Sequence, residues 1–383
     1  MLSLVDNTNP TFACWVGLSN QSRATMNNNY CVIMSGGIGS RFWPASRTSL
    51  PKQFLDFFGT GRSLLQQTYD RFAKLIPAEN IYIVTNQKYK ELTMQQLPDL
   101  KESQILLEPQ RRNTAPCIAF ASNRILAVNP KANIVVAPSD HLILKEEDFL
   151  ARIKEGLEFV ANNNVLLTIG IKPNRPETGY GYIQIGPLKQ GNISKIKTFT
   201  EKPNAELAQV FLDSGEFLWN SGIFLWNVRT ILSAFDELLP EVAARFNSAQ
   251  HVFNTPEEKA FIDSIFPACP NISIDYGILE KASNVYVQCA DFGWSDLGTW
   301  GSLHDLSPKD DKGNATLKCD ALFYESSDNL VSLPADKLAV IHKLDGYIVA
   351  ESGNVLMICK KEDEQEIRQF VIDTQTKKGD AFV

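Results

Sequence analysis

The stretch from Tyr30 to Leu55 reads YCVIMSGGIGSRFWPASRTSLPKQFL. Its first five residues form a short apolar run with β-branched members, the pattern of a buried strand. Gly36, Gly37 and Gly39 follow Ser35 and let the backbone turn sharply and approach a ligand closely. Arg41 and Lys52 then place two cations in a segment otherwise made of prolines, aromatics and small polar residues. A buried strand, a glycine turn and two cations suggest a site for a polyphosphate. Neither standard nucleotide fingerprint applies. Phe42 stands where a dinucleotide fold needs its third glycine, and the G-x-x-x-x-G-K-[ST] of a P-loop is missing.

Outward from this stretch, strands and helices alternate. Strands are expected at 81–84, 105–107, 134–137 and 165–169. Helices are expected at 63–74, 87–97, 114–128 and 146–161, the third capped by Asn113. That alternation predicts an α/β, Rossmann-like, mostly parallel sheet with helices on both faces, whose ligand sits beyond the carboxyl ends of the strands. The glycine turn, Glu108 and Asp140 all fall at such ends. After residue 180 the regularity breaks into extended segments at 180–185, 196–200 and 217–226, helices through 228–266, a helix at 274–280 and a strand at 285–289. From Asn314 onward, short apolar runs start at Leu330, Leu338, Tyr347 and Val355, the cadence of a small β-rich module closed by a helix at 362–373. The expected division is a loose N-terminal extension (1–25), a catalytic domain (26–310) and a C-terminal β-rich module (311–383).

The composition is that of an ordinary soluble protein: 383 residues, 44% hydrophobic and 21% charged, with a net charge of −7. An acidic chain is not built for a nucleic acid or an anionic membrane, so an anionic ligand must be held by a local cluster of cations. Seven scattered cysteines with no C-x-x-C spacing indicate neither a zinc site nor a disulfide framework, and a reducing cytoplasm is expected. No secretory signal and no membrane-spanning run is expected. The four histidines offer no nucleophile elbow or Ser-His-Asp relay.

The Gly-Gly-x-Gly-x-Arg, the Trp-Pro and the later Pro51-Lys52 resemble the signature of the sugar-nucleotide pyrophosphorylases. Further segments occur in that family's order: Glu108-Pro109-Gln110-Arg111-Arg112-Asn113-Thr114-Ala115-Pro116, Pro138-Ser139-Asp140-His141, Gly179-Tyr180-Gly181-Tyr182-Ile183, Phe199-Thr200-Glu201-Lys202-Pro203 and Trp219-Asn220-Ser221-Gly222. Ser273-Ile274-Asp275-Tyr276 and Trp294-Ser295-Asp296-Leu297-Gly298-Thr299-Trp300 complete the set. Together they resemble the mannose-1-phosphate guanylyltransferases, whose reaction joins GTP and mannose 1-phosphate into GDP-mannose and pyrophosphate. The tail after Asn314 is similar to that family's short β-helical part. Longer, bifunctional members carry a phosphomannose isomerase module, which is not expected before Val383.

The resemblance implies residue roles that the chemistry supports. A sugar phosphate brings its own anionic oxygen, with a second pKa near ~6, so the reaction needs positioning and charge neutralisation rather than a protein nucleophile. Arg41 and Lys52 are expected at the triphosphate and Lys202 at the sugar phosphate. Ser35, the glycine turn (Gly36, Gly37, Gly39), Arg112, Asn113 and Thr114 belong to the nucleotide side; Asn113 also reads as a plain helix cap. Glu201 and Asn220, with Gly179 and Gly181, belong to the hexose. Asp140 and Asp296 are the candidates for Mg²⁺, an ion commonly held by one or two carboxylates plus substrate phosphates. The plainer alternative for Asp296 is the N-cap of a helix starting at Leu297, and Asp291 reads as an ordinary turn residue. His141 is read as supporting or structural, and Trp219, Trp226, Trp294 and Trp300 as packing. The C-terminal module is expected to serve either packing or dimerisation, the second of which would make the assembly a homodimer. The alternatives are a related pyrophosphorylase using another base or hexose 1-phosphate, and a catalytically silent sugar-nucleotide-binding regulator.

Overall fold

The computed structural model describes residues 28–383; the extension read at 1–25, and Met26, lie outside the described residues. Strands β1 (Asn29–Ser35), β2 (Ile81–Asn86), β3 (Ile105–Glu108) and β4 (Asn133–Pro138) form one parallel half of a nine-stranded sheet. Along β1 the side chains alternate between two cores. Tyr30 and Val32 join the layer beneath helix Thr114–Val128, while Cys31 and Ile33 join the layer beneath helices Leu64–Ala73 and Glu146–Asn162. Burial on both faces is why these strands read as unbroken apolar runs.

The expected parallel sheet does not continue across the whole molecule. After the small strand β5 (Leu142–Ile143), β6 (Leu166–Ile171) is separated from β4 by β9 (Phe217–Asn227), which runs antiparallel to both. The order is β3-β2-β1-β4-β9-β6-β10-β8-β7, where β7 is Gly181–Gln190, β8 Ile193–Glu201 and β10 Val285–Ala290. Only β6–β10 restores parallel pairing; β7 and β8 form an antiparallel hairpin that also meets β9. The sheet is therefore mixed. The physical reason lies in connection length: a tight turn at Gly191 (φ 63°) joins β7 to β8, and so short a link enforces an antiparallel pair.

Register brings the functional ends level. Met34 pairs with Pro138 and Asn86 with Glu108, so the segments after β1, β3 and β4 emerge at one rim. A two-stranded ribbon of β5 with β11 (Trp294–Ser295) adds the segment carrying Asp296 to that rim.

Beyond helix Trp300–Leu306 the chain forms the β-rich module. Its strands are β12 (Ala315–Leu317), β13 (Asp320–Tyr324), β14 (Leu330–Ser332), β15 (Leu338–His342), β16 (Tyr347–Ser352) and β17 (Val355–Lys360). β12, β14 and β16 stack in parallel, as do β13 and β15, and β17 closes the first stack antiparallel. Helix Ile367–Lys378 packs back on the signature loop, and Ile367, Phe370 and Val371 join Phe42, Trp43 and Trp300 in a third core. Among the described residues the six cysteines are free, and no helix is long and apolar enough to cross a membrane.

Candidate active site

The glycine turn does two different jobs. Gly36 and Gly37 line a cleft of about 400 Å3, together with Ser35, Glu108, Arg111 and Asp140. Gly39 does not line it: it adopts φ 71°, and a Cβ there would collide with the Lys52 side chain. Glycine is thus required at 39 to seat Lys52, while at 36 and 37 a Cβ would meet nothing.

Arg112, Asn113 and Thr114 line the same cleft, but their polar atoms are largely engaged elsewhere. Arg112 reaches the Pro267 carbonyl and Gln110 Oε1 (3.1 Å). Asn113, at φ 67°, accepts from the Thr114 amide at 2.9 Å as the cap of helix Thr114–Val128. Thr114 Oγ1 accepts from the Ile274 amide at 2.8 Å, which ties this turn to the segment before Asp275. The cation that lies over the glycine turn is Arg111, whose Nε donates to the Gly36 carbonyl at 2.8 Å.

Glu108, at the end of β3, was given no role by the sequence. It is 6% exposed, and its Oε1 is buried without a hydrogen-bond partner. Burial pushes its pKa up to about 7, against the opposing pulls of the Cys117 thiol bonded to it and the Arg111 charge. An unpaired carboxylate oxygen in a ligand-sized cleft is an acceptor waiting for a donor.

Lys52 is the centre of the site and is 5% exposed. Its Nζ donates to Asp140 Oδ2 at 2.9 Å and to the Asp296 main-chain carbonyl at 2.6 Å. Burial opposes the charge on Asp140, but the Lys52 ammonium, His141 and local hydrogen bonds outweigh it and hold the carboxyl below its usual range. The side chain of Asp296 accepts from the Tyr180 hydroxyl at 2.6 Å; burial and this carboxylate push the Tyr180 pKa well up. The reading of Asp296 as a helix cap is overturned: Leu297 sits at φ 46°, and Thr299 caps helix Trp300–Leu306 through a reciprocal pair with Ser302. His141 accepts from Trp294 Nε1 at 3.1 Å, and burial lowers its pKa, consistent with a supporting residue. Asp291 is exposed, with Lys145 at 3.6 Å.

Asp140 and Asp296 thus reach one cation from two strand ends. Among the described residues no group of three or more His, Cys, Asp or Glu side chains could hold a metal alone. Asp140 lines the cleft beside the glycine turn and Asp296 the neighbouring cavity, two oxygen donors of the kind that holds an ion whose shell is completed by substrate phosphates.

The remaining sugar-side residues meet at the start of β7 and the end of β8. Glu201 pairs with Lys202, which adopts φ 49° and leaves its side chain 58% exposed beside the buried Glu201 carboxylate. A Cβ at Gly181 would overlap Glu201 Oε2, whereas Gly179 faces Glu177 at 3.2 Å. Asn220 is committed to the protein: its Nδ2 donates to Asp275 Oδ1 at 2.8 Å, and its Oδ1 accepts from Thr168 Oγ1 at 3.0 Å. Asp275 opens a π-helical turn, Asp275–Leu279, a rare backbone frequent at functional sites. Burial, with the Glu201 charge beside it, raises Asp275 to about 6. The four tryptophans pack: Trp226 and Trp300 are fully buried, and Trp219 and Trp294 edge onto Tyr180. A further cavity, about 880 Å3, lies at the opposite strand ends, where the amides of Asn133, Asn227 and Asn284 bond neighbouring asparagines.

A family model described as nucleotidyl transferase matches residues 30–313. A mannose-1-phosphate guanylyltransferase of Escherichia coli is 34% identical over 89% of this chain and 74% of its own length. The chain belongs to the nucleotidyl transferases of the mannose-1-phosphate guanylyltransferase family. Another member, from Salmonella montevideo, is 36% identical over 89% of this chain and 72% of its own. A solved structure from Thermus thermophilus, described as a mannose-1-phosphate geranyltransferase, superposes with a TM-score of 0.81 at 28% identity, covering 91% of this chain and 99% of that one.

Proposed function

We propose that this chain joins GTP and mannose 1-phosphate into GDP-mannose and pyrophosphate by direct attack of the sugar phosphate oxygen on the α-phosphate. One observation carries the reading: the glycine turn, the Lys52-linked Asp140 and Asp296, and the Glu201–Lys202–Asn220–Asp275 group all open at one rim of the sheet. In this reading Lys202 grips the sugar phosphate, and Arg41 and Lys52 neutralise charge building on the departing pyrophosphate. Glu201 and Asp275 bond hexose hydroxyls, with Asn220 holding Asp275. Asp140 and Asp296 would hold Mg²⁺, which when bound supplies charge neutralisation between the phosphates.

Glu108 supports the choice of base. Guanine alone among the common bases presents two adjacent donors, N1–H and N2–H, on its pairing edge, and a carboxylate is the matching acceptor pair. A buried site built around that match rejects bases that leave it unpaired. We assign Glu108 this role, with Arg112, Asn113 and Thr114 shaping the cleft floor.

The finer architecture follows the same reading: a catalytic domain at 26–310 and a module at 311–383 whose two parallel stacks make a short β-helix. Leu322 and Val340 are exposed neighbours on the outer side of the β13–β15 sheet, and Leu356 and Ile358 are exposed on the edge strand β17; such apolar surface suits pairing of two copies as a homodimer. The cytoplasm is the compartment where free thiols and GTP coexist. An assay of pyrophosphate release over GTP, UTP, dTTP and ATP, each with mannose or glucose 1-phosphate, tests the proposal. Preference for another pair would refute it, and no turnover with any pair would favour a silent regulator.

A further inference from the structure

Asp296 follows β11 in a turn, and its carboxylate is held from outside that turn. Leu297, at φ 46°, gives its amide to Ser295 Oγ at 3.1 Å, and Lys52 takes the Asp296 main-chain carbonyl. Those bonds fix the backbone and leave the side-chain rotamer open. Two other residues close it. The Tyr180 hydroxyl donates to Oδ1 at 2.6 Å, and a Cβ at Gly298 would come within 2.9 Å of Oδ2. Glycine at 298 thus leaves the space that the second oxygen fills. Among the described residues Oδ2 accepts no hydrogen bond.

Tyr180 is held firmly enough to act as a strut. It is buried, and its ring lies edge-on to Trp219 at 5.2 Å and to Trp294 at 5.1 Å, two tryptophans carried by different strands. Its carbonyl accepts from the Lys202 amide at 3.2 Å, one step beyond the Gly181–Glu201 pair that opens the β7–β8 hairpin. One residue therefore bonds the sugar-side hairpin through its main chain and the acidic turn through its side chain. A hydroxyl-to-carboxylate bond of this length belongs to the strong, charge-assisted class. Tyr180, Asp296 and Gly298 line one cavity of about 550 Å3, together with Arg41.

We propose that Tyr180 is a positioning residue for the reaction: its hydroxyl fixes Asp296 Oδ1 and leaves Oδ2 for the divalent ion, while its main chain ties that setting to the hairpin carrying Lys202. The inference rests on Asp296 holding the ion. Hydrogen-bond partners standing behind a metal ligand typically govern metal affinity or activity by 10–100-fold.

Binding of Mn²⁺, which carboxylates hold as they hold Mg²⁺, tests it apart from turnover. The ion is titrated into the full chain with GDP-mannose and no pyrophosphate, and free Mn²⁺ is read by electron paramagnetic resonance. Tyr180→Phe keeps the ring between its tryptophans and is expected to weaken Mn²⁺ binding by roughly ten-fold or more. The Mg²⁺ concentration for half-maximal turnover should rise with it. KM for mannose 1-phosphate should stay unchanged, because the main-chain bond to Lys202 survives. Tyr89→Phe is the control: it also removes a buried tyrosine's hydroxyl bond, to the Thr48 carbonyl at 3.0 Å, but touches no carboxylate. If Asp296→Asn weakens Mn²⁺ binding and Tyr180→Phe does not, the inference is overturned while the reading of Asp296 stands. If neither weakens it, the reading of Asp296 fails and the inference with it. Equal weakening by Tyr89→Phe would show a general loosening of the fold and would also overturn the inference.

Discussion

Replacing Glu108 by glutamine changes one oxygen and tests how the base is chosen. The carboxylate can accept from both guanine donors, whereas glutamine offers one acceptor and one donor. One charged hydrogen bond is lost and an N–H is set against an N–H. A charged hydrogen bond is worth about 1.5–3 kcal/mol, so kcat/KM for GTP should fall by roughly ten- to a hundred-fold. ATP and UTP, whose edges pair a donor with an acceptor, should improve against GTP. The wild-type carboxyl, raised to about 7 in the free protein, must ionise to accept both bonds. Turnover at limiting GTP should therefore decline as pH falls below about 7, and this limb should vanish in the glutamine variant. Stability carries the opposite signature. A carboxyl whose folded pKa lies above its unfolded value contributes stability below the unfolded pKa, and that contribution is lost as pH rises through about 7. The burial shift corresponds to at most about 3 kcal/mol, so Glu108→Gln should melt higher than wild type at pH 8 and little differently at pH 5. Measuring kcat/KM for the four nucleotides across pH, beside thermal melts, checks both limbs. An unchanged GTP-to-UTP ratio would refute the reasoning.

Other substitutions test the remaining roles. Gly39→Ala combines a left-handed backbone with a collision at Lys52, so it should destabilise by about 1–3 kcal/mol and depress kcat, read by denaturant titration and turnover. Asp296→Ala should weaken Mg²⁺ activation; unchanged turnover across a Mg²⁺ titration would remove it from the metal site. Lys202→Ala should raise KM for mannose 1-phosphate or lower kcat, with wild-type kinetics rejecting its assignment. If the module pairs two copies as proposed, light scattering should find the full chain dimeric and a chain deleted beyond 318 monomeric; the same mass per particle in both would refute the pairing.

The parallel half of the fold was legible because β1 and β4 are buried on both faces, and each spells a continuous apolar run. The insertion of β9 between β4 and β6 was not: a strand's own residues say that it is extended, but its partners are chosen by distant register. The motif residues were legible as chemistry, and Lys52, Asp140 and Asp296 do meet. Which neighbour faces the cleft was not. Arg111 and Arg112 are adjacent in sequence, and only the loop geometry sends one to Gly36 and the other to Pro267. Glu108 lay within a recognisable motif, yet its signal, an orphaned buried oxygen, exists only in three dimensions. The cap ambiguity at Asp296 had a sequence cue in the Thr299–Ser302 spacing, which competed with the apolar Leu297.

Lys52 bonds the side chain of Asp140 but the main chain of Asp296. The two acidic positions are consequently under different constraints as the sequence drifts. Any residue at 296 still presents a carbonyl, so its carboxylate can disappear while the cross-link that braces the rim survives. Position 52 has no such latitude, because losing the ammonium frees both strand ends and strands a charged Asp140. A descendant that gave up catalysis would therefore be expected to shed Asp296 early and keep Lys52 long. Retention of that lysine marks an intact scaffold, and, if Asp296 holds the metal ion as proposed, its carboxylate is the better sign of a working enzyme.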